Sequence, residues 1–184
     1  MFMNLLYYFF HDFSRPLVLC GVALKQKILS WFDSYNIYSI PEGADPDCFE
    51  YSDEYIAYRV EGQLAWGHEF HIFDKDGRML GRLSKEFFTF LPKFDLELFG
   101  EHIGRVEREF SLFVPSYRVD FRDWQVDGDF FGWDYSITDS HGKVAARISK
   151  ELFHLGDTYV IDIPDERDAL HALMVVLAID AANC

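Results

Sequence analysis

Lys25 and Lys27 stand two residues apart, so in an extended strand their ammonium groups share one face and can hold a phosphate as two point charges. They form a weak candidate for a lipid-headgroup site, because the chain around them is acidic; the same pair also reads as a solvated strand face. Asp74-Lys75-Asp76-Gly77-Arg78 has a superficial likeness to a calcium loop. The EF-hand pattern wants an acid or amide before its Gly and a Glu six residues after it, where this chain has Leu83. A hairpin turn is the better reading. Asp127-Gly128-Asp129, with Asp134 nearby, reads in the same way as an acidic turn and not as a metal site. His68 and His71 form the one close histidine pair; an odd spacing on a strand sends them to opposite faces, so they do not chelate one ion.

His171 interrupts the apolar run from Ala169 to Ile179. A buried imidazole wants a hydrogen-bond partner. It reads as a satisfied core histidine, or one near the mouth of the fold, more readily than as a functional base. The sequence contains no GxSxG, P-loop, GxGxxG or HExxH motif. Cys184 ends an Ala-Ala-Asn-Cys tail that is not a prenylation signal. No catalytic residue, cofactor site or metal site is assigned.

The element that organises the chain is the segment 165–184. Its run Ala169–Ile179 is apolar on every side apart from His171, and a helix of that kind must be buried. Asp165 follows Pro164 and suits an N-cap, with Glu166 and Asp168 where the helix dipole favours acid. The run is too short for a membrane span, which takes ~20 apolar residues. Protein must therefore surround it.

What surrounds it is a repeat: an aromatic, any residue, then an aliphatic, just after a turn. Copies occur at Tyr35–Ile37, Phe70–Ile72, Phe94–Leu96, Tyr117–Val119, Tyr135–Ile137 and Tyr159–Ile161. Each copy reads as one hairpin, so six hairpins make about twelve strands. Alternation agrees. Phe94, Leu96 and Leu98 oppose Lys93, Asp95 and Glu97, and Tyr117, Val119 and Phe121 oppose Arg118, Asp120 and Arg122. Period two with one apolar face means antiparallel sheet, wet on one side. About eight strands close on an interior that side chains alone can fill, and wider barrels leave space. One helix, ~10 Å across, is a suitable plug for that space. The expected fold is mainly β (α+β): an antiparallel barrel of about twelve strands enclosing a hydrophobic C-terminal helix. The acidic stretch Pro41–Glu54 reads as a surface loop. Residues 1–20 read as an apolar N-terminal appendage and 21–184 as a single barrel domain with its central helix at 165–184.

The net charge of -14 opposes nucleic acid and anionic membrane surfaces. An aromatic content of 18% argues for a packed core and against disorder. The cysteines Cys20, Cys48 and Cys184 form no CxxC and suggest reduced thiols. The apolar N-terminus has no preceding Lys or Arg, unlike a signal peptide, so a cytoplasmic location is expected.

Several segments together carry a resemblance: Lys25–Trp31, Trp66-Gly67-His68, Leu91–Phe94, Trp124–Asp129, Ala146–Lys150, Gly156–Tyr159 and Val176–Asp180. From Leu24 to Cys184 the chain resembles the LURP-one-related (YxjI-like) family of the tubby C-terminal-like superfamily, which also holds phospholipid scramblases. The resemblance implies a twelve-stranded antiparallel barrel around a hydrophobic C-terminal helix. It implies no settled activity. The expected function is a non-catalytic cytosolic binding or scaffold module whose partner, a protein among the options, the sequence does not name. The alternative is a membrane-associated binder of phosphoinositide or phospholipid headgroups that uses Lys25, Lys27 and the aromatic N-terminus in a weak or regulated contact. An enzyme of unknown class comes third.

Overall fold

The computed structural model describes residues 7–8, 20–26, 34–41, 44, 48–65, 67–112, 115–129, 134–151 and 158–183. Its strands are β1 (Tyr7–Tyr8), β2 (Cys20–Gln26), β3 (Ser34–Ser39), β4 (Ile56–Ala65), β5 (Gly67–Asp74), β6 (Met79–Lys85) and β7 (Lys93–Leu98). They continue as β8 (Glu101–Glu109), β9 (Ser116–Val119), β10 (Gln125–Asp129), β11 (Asp134–Thr138), β12 (Val144–Glu151) and β13 (Thr158–Ile163). A 3-10 turn, Glu166–Asp168, leads into the helix α1 (Ala169–Asn183). The protein is thus mainly β with one C-terminal helix, as expected.

The eleven strands β3–β13 pair each with the next in chain order, all antiparallel. β2 is antiparallel to β13 on one side and to β3 on the other. From the expected N-terminal appendage, β1 lies parallel to β3, Tyr7 opposite Tyr38 and Tyr8 opposite Ser39. The remainder of 1–19 is outside the described residues.

The aromatic-x-aliphatic repeat explains where the core sits. Its copies fall on β3, β5, β7, β9, β11 and β13, and in the first five both residues are buried; in the last, Ile161 is buried. Strand alternation sends each pair to the same face as the helix. α1 supplies the other half of the core. Twelve of its fifteen residues are buried, so the reading of a helix without an exposed stripe holds. Gly81 lets β6 come close: a Cβ there would lie 3.0 Å from Leu98 Cδ2 and 3.5 Å from Met174 Cε.

Two local readings need correction. Asp127-Gly128-Asp129 is not a turn; it is strand β10, paired with β11 from Gln125↔Thr138 to Asp129↔Asp134. The β11 ladder supplies the hydrogen bonds that a turn would otherwise make. The segment 165–184 is not helical from its start. Asp165 is extended and caps the 3-10 turn by accepting from Arg167 N, and α1 begins only at Ala169.

Pro41–Glu54 falls in the connection between β3 and β4, and its described residues Ala44, Phe49 and Tyr51 are partly buried against the core, which a surface loop would not require. Asp74–Arg78 is a tight turn as expected. Asp74 Oδ1 accepts from the N–H groups of Asp76 and Arg78, and Gly77 takes the left-handed φ of 78°. These bonds, with the Arg78 guanidinium, hold the Asp74 carboxyl below its usual range.

Candidate functional site

Antiparallel pairing places the connections after β6 and β8 at one end of the sheet, and those after β7 and β9 at the other. α1 runs between these ends, and each end has its own chemistry.

At the N-terminal end of α1, Arg122 follows β9 and pairs with the buried Asp168, Nη1 to Oδ1 2.5 Å. The Arg122 guanidinium also lies over the Trp124 ring at 5.5 Å. Arg122 and Asp123 both adopt left-handed backbone, φ 57° and 51°, an uncommon conformation for residues with a Cβ. It turns the Arg122 side chain back over the end of the helix. His171 packs one turn on, its ring 6.1 Å from Phe121 and 6.4 Å from Trp124. Its Nδ1 is buried without a hydrogen-bond partner among the described residues and the residue as a whole is only half-buried, so the expectation of a satisfied core histidine does not hold. Burial and then the nearby Arg122 charge push the imidazole down to about 4. It is neutral at physiological pH and a weak base.

At the C-terminal end the buried Asp180 accepts from Tyr35 Oη on β3 at 2.9 Å. Tyr117 on β9 donates to Asn183 Oδ1 at 2.6 Å, and Arg108 on β8 donates to the Ala182 carbonyl at 3.3 Å. Burial pushes the Tyr117 phenol up to about 12. The Arg108 contact suits the negative end of a helix dipole.

The outer face carries a network of ion pairs across β5–β9. Arg82 bridges Glu97 and Glu69, Arg105 joins Asp95 and Glu86, and Glu107 receives Lys93 and Arg118. His71 bonds Glu69 at 2.8 Å, and the side chain of His68 is outside the described residues. Among the described residues no group of three or more His, Cys, Asp or Glu is placed to hold a metal.

Of the proposed headgroup pair, Lys25 lies on β2 opposite Asn36, and Lys27 is outside the described residues. The 41–55 connection holds an open hollow of about 390 Å³ lined by Cys48, Phe49, Glu50 and Tyr55 among others.

The surface feature that sequence reasoning missed is aromatic. In the connection between β6 and β7, Phe87 is 51% exposed, Phe88 107% and Phe90 94%. Beside it, just after β8, Phe110 is 74% and Leu112 76% exposed. The two tips adjoin, since Arg108 N donates to the Pro92 carbonyl and Lys93 pairs with Glu107. The signal was present in the sequence: Phe87-Phe88-Thr89-Phe90-Leu91-Pro92 lacks period two and ends in a helix- and strand-breaking proline, so it suits neither face of a strand.

No helix among the described residues is long and apolar enough to cross a membrane. By sequence, the chain is 24% identical over 158 residues to the uncharacterized protein YxjI of Bacillus subtilis (strain 168), covering 85% of this chain and 90% of that protein. A model of the LURP-one-related family matches residues 22–180, from β2 to the buried Asp180, so the chain belongs to the LURP-one-related family.

Proposed function

We propose that the protein is a non-catalytic binding module: a twelve-stranded antiparallel barrel of the tubby C-terminal-like type, the wider grouping that takes in phospholipid scramblases, with α1 as its filling. Barrel closure is supported by the pairing of β3 with both β2 and β4, and of β2 with β13. The observation that carries the functional reading is how the interior polar groups are used. Tyr35 with Asp180, Tyr117 with Asn183, and Arg122 with Asp168 each join a strand, or the loop after it, to one end of the helix. Groups engaged in this way orient the filling, and recognition falls to the outer surface and the loop tips. We place the module in the cytoplasm, in keeping with three cysteines that form no CxxC.

Incubation of the full chain with p-nitrophenyl phosphate, p-nitrophenyl acetate and ATP, each with and without Mg²⁺, tests the reading. Product release should not exceed that of a heat-denatured blank. Release above the blank that is lost in His171→Gln, with the fold intact, would overturn it.

A further inference from the structure

We propose that the two adjoining aromatic tips, Phe87–Phe90 and Phe110–Leu112, dock the protein on the interfacial zone of a lipid bilayer, and on electrically neutral bilayers in preference to anionic ones. This deepens the binding-module reading and rests on it.

The tips have the shape for a fluid partner. Phe88 and Phe90 are as open to water as in an isolated chain, so they project as knobs and line no groove. Phe88 also holds a left-handed φ of 62°, which a residue with a Cβ rarely adopts. The Phe87 and Phe88 rings stand 6.3 Å apart, presenting one compound apolar surface. A solvent-exposed cluster of large apolar side chains of this kind marks an interaction site. Aromatic rings favour the headgroup level of a membrane.

Charge selects the kind of bilayer. Residues 85–93 and 105–118 around the tips hold five Lys or Arg against three Asp or Glu, a local net of +2 in a chain of net -14. The rest of the chain therefore carries -16. Lys85 lies near the tips with its ammonium over the Phe94 ring, while Lys93 is paired with Glu107 and Arg108 with the Ala182 carbonyl, so the cations at this end are engaged within the protein. At low ionic strength, where the Debye length reaches about 30 Å, an anionic leaflet would repel the chain as a whole, while a neutral surface would not. Docking should thus strengthen with apolar contact and not with lipid charge, the reverse of what a Lys25/Lys27 headgroup site requires.

Flotation of the full chain with extruded phosphatidylcholine vesicles, and with vesicles in which phosphatidylserine replaces part of that lipid, tests this. The wild type should float with the neutral vesicles, and less so as phosphatidylserine rises at low salt, with added salt restoring the loss. The triple variant Phe87→Ser, Phe88→Ser, Phe90→Ser should keep the wild-type melt and partition at least ten-fold less. Lys25→Glu should partition as wild type. No flotation with phosphatidylcholine, flotation retained by the triple variant, or flotation that needs phosphatidylserine would each overturn the proposal. So would sedimentation velocity showing a dimer that the triple variant abolishes while neither protein floats, which would assign the tips to a second copy. Turnover in the nitrophenyl and ATP assays would instead count against the non-catalytic reading and leave this one standing.

Discussion

Tyr35 and Asp180 lie 145 residues apart in the chain and share a buried hydrogen bond of 2.9 Å, the phenol donating to Asp180 Oδ2. One residue stands near the start of β3 and the other near the end of α1. The bond ties the helix, whose surface is otherwise apolar in all directions, to one strand. Dispersion and hydrophobic contacts alone would allow such a helix to slide or rotate at little cost, because they are non-directional. A polar pair inside an apolar shell supplies the missing register. Arg122 with Asp168 does the same at the opposite end.

Tyr35→Phe keeps the ring and removes the donor. The buried carboxylate then loses a hydrogen bond, a loss of about 1–3 kcal/mol. Chemical denaturation should show that drop with an unchanged m-value. An unaltered midpoint would mean that the bond does not hold the helix.

Leu173 is 1% exposed and sits mid-way along α1. Leu173→Ala should lower stability by about 2–5 kcal/mol through lost transfer energy and a residual cavity, and the melt should stay cooperative. Leu173→Asp should give insoluble or molten protein, because an unpaired buried charge adds to that loss and whole-domain stability is only about 5–15 kcal/mol. Soluble Leu173→Asp protein with a wild-type melt would remove α1 from the core.

His171 links stability to pH. Its folded pKa, about 4, lies below the ordinary 6.5 because burial and Arg122 oppose the charged form. Between those values the unfolded chain binds a proton that the folded chain does not. Stability is therefore full above pH 6.5 and falls as the pH drops towards 4, at no more than about 1.4 kcal/mol per pH unit for one proton. The half-open setting of the ring makes the observed slope smaller. Urea midpoints measured from pH 7.5 to 4 should show a shallower decline in His171→Gln than in the wild type. Parallel curves would exclude His171 as the source.

Deletion of residues 1–15 removes β1, whose pairing with β3 spans only Tyr7 and Tyr8. β3 keeps its antiparallel partners β2 and β4. The truncated chain should retain a single cooperative melt by circular dichroism. A broad, non-cooperative transition would place the N-terminal segment in the core.

Much of the frame was legible in the sequence because its cause is local. A period of two puts Phe94 and Leu96, or Tyr135 and Ile137, on one face whatever strand lies beside them. An all-round apolar run such as Leu173–Ile179 has to be buried wherever the chain takes it. Asp74–Gly77 closes its own turn through its own N–H groups. Other features follow from which strand neighbours which. Asp127-Gly128-Asp129 has turn composition but became a strand because β11 offered a complete ladder. Asp180 carries no sign in the sequence that its partner is Tyr35, and Arg122 none that it pairs with Asp168. Those meetings depend on sheet order and on the passage of α1 from one end of the sheet to the other. The exposure of Phe88 and Phe90 was likewise set by the tertiary structure, because the inward faces of β6 and β7 are already occupied by Leu83, Phe94 and Leu96 and leave the rings of the connecting loop in water.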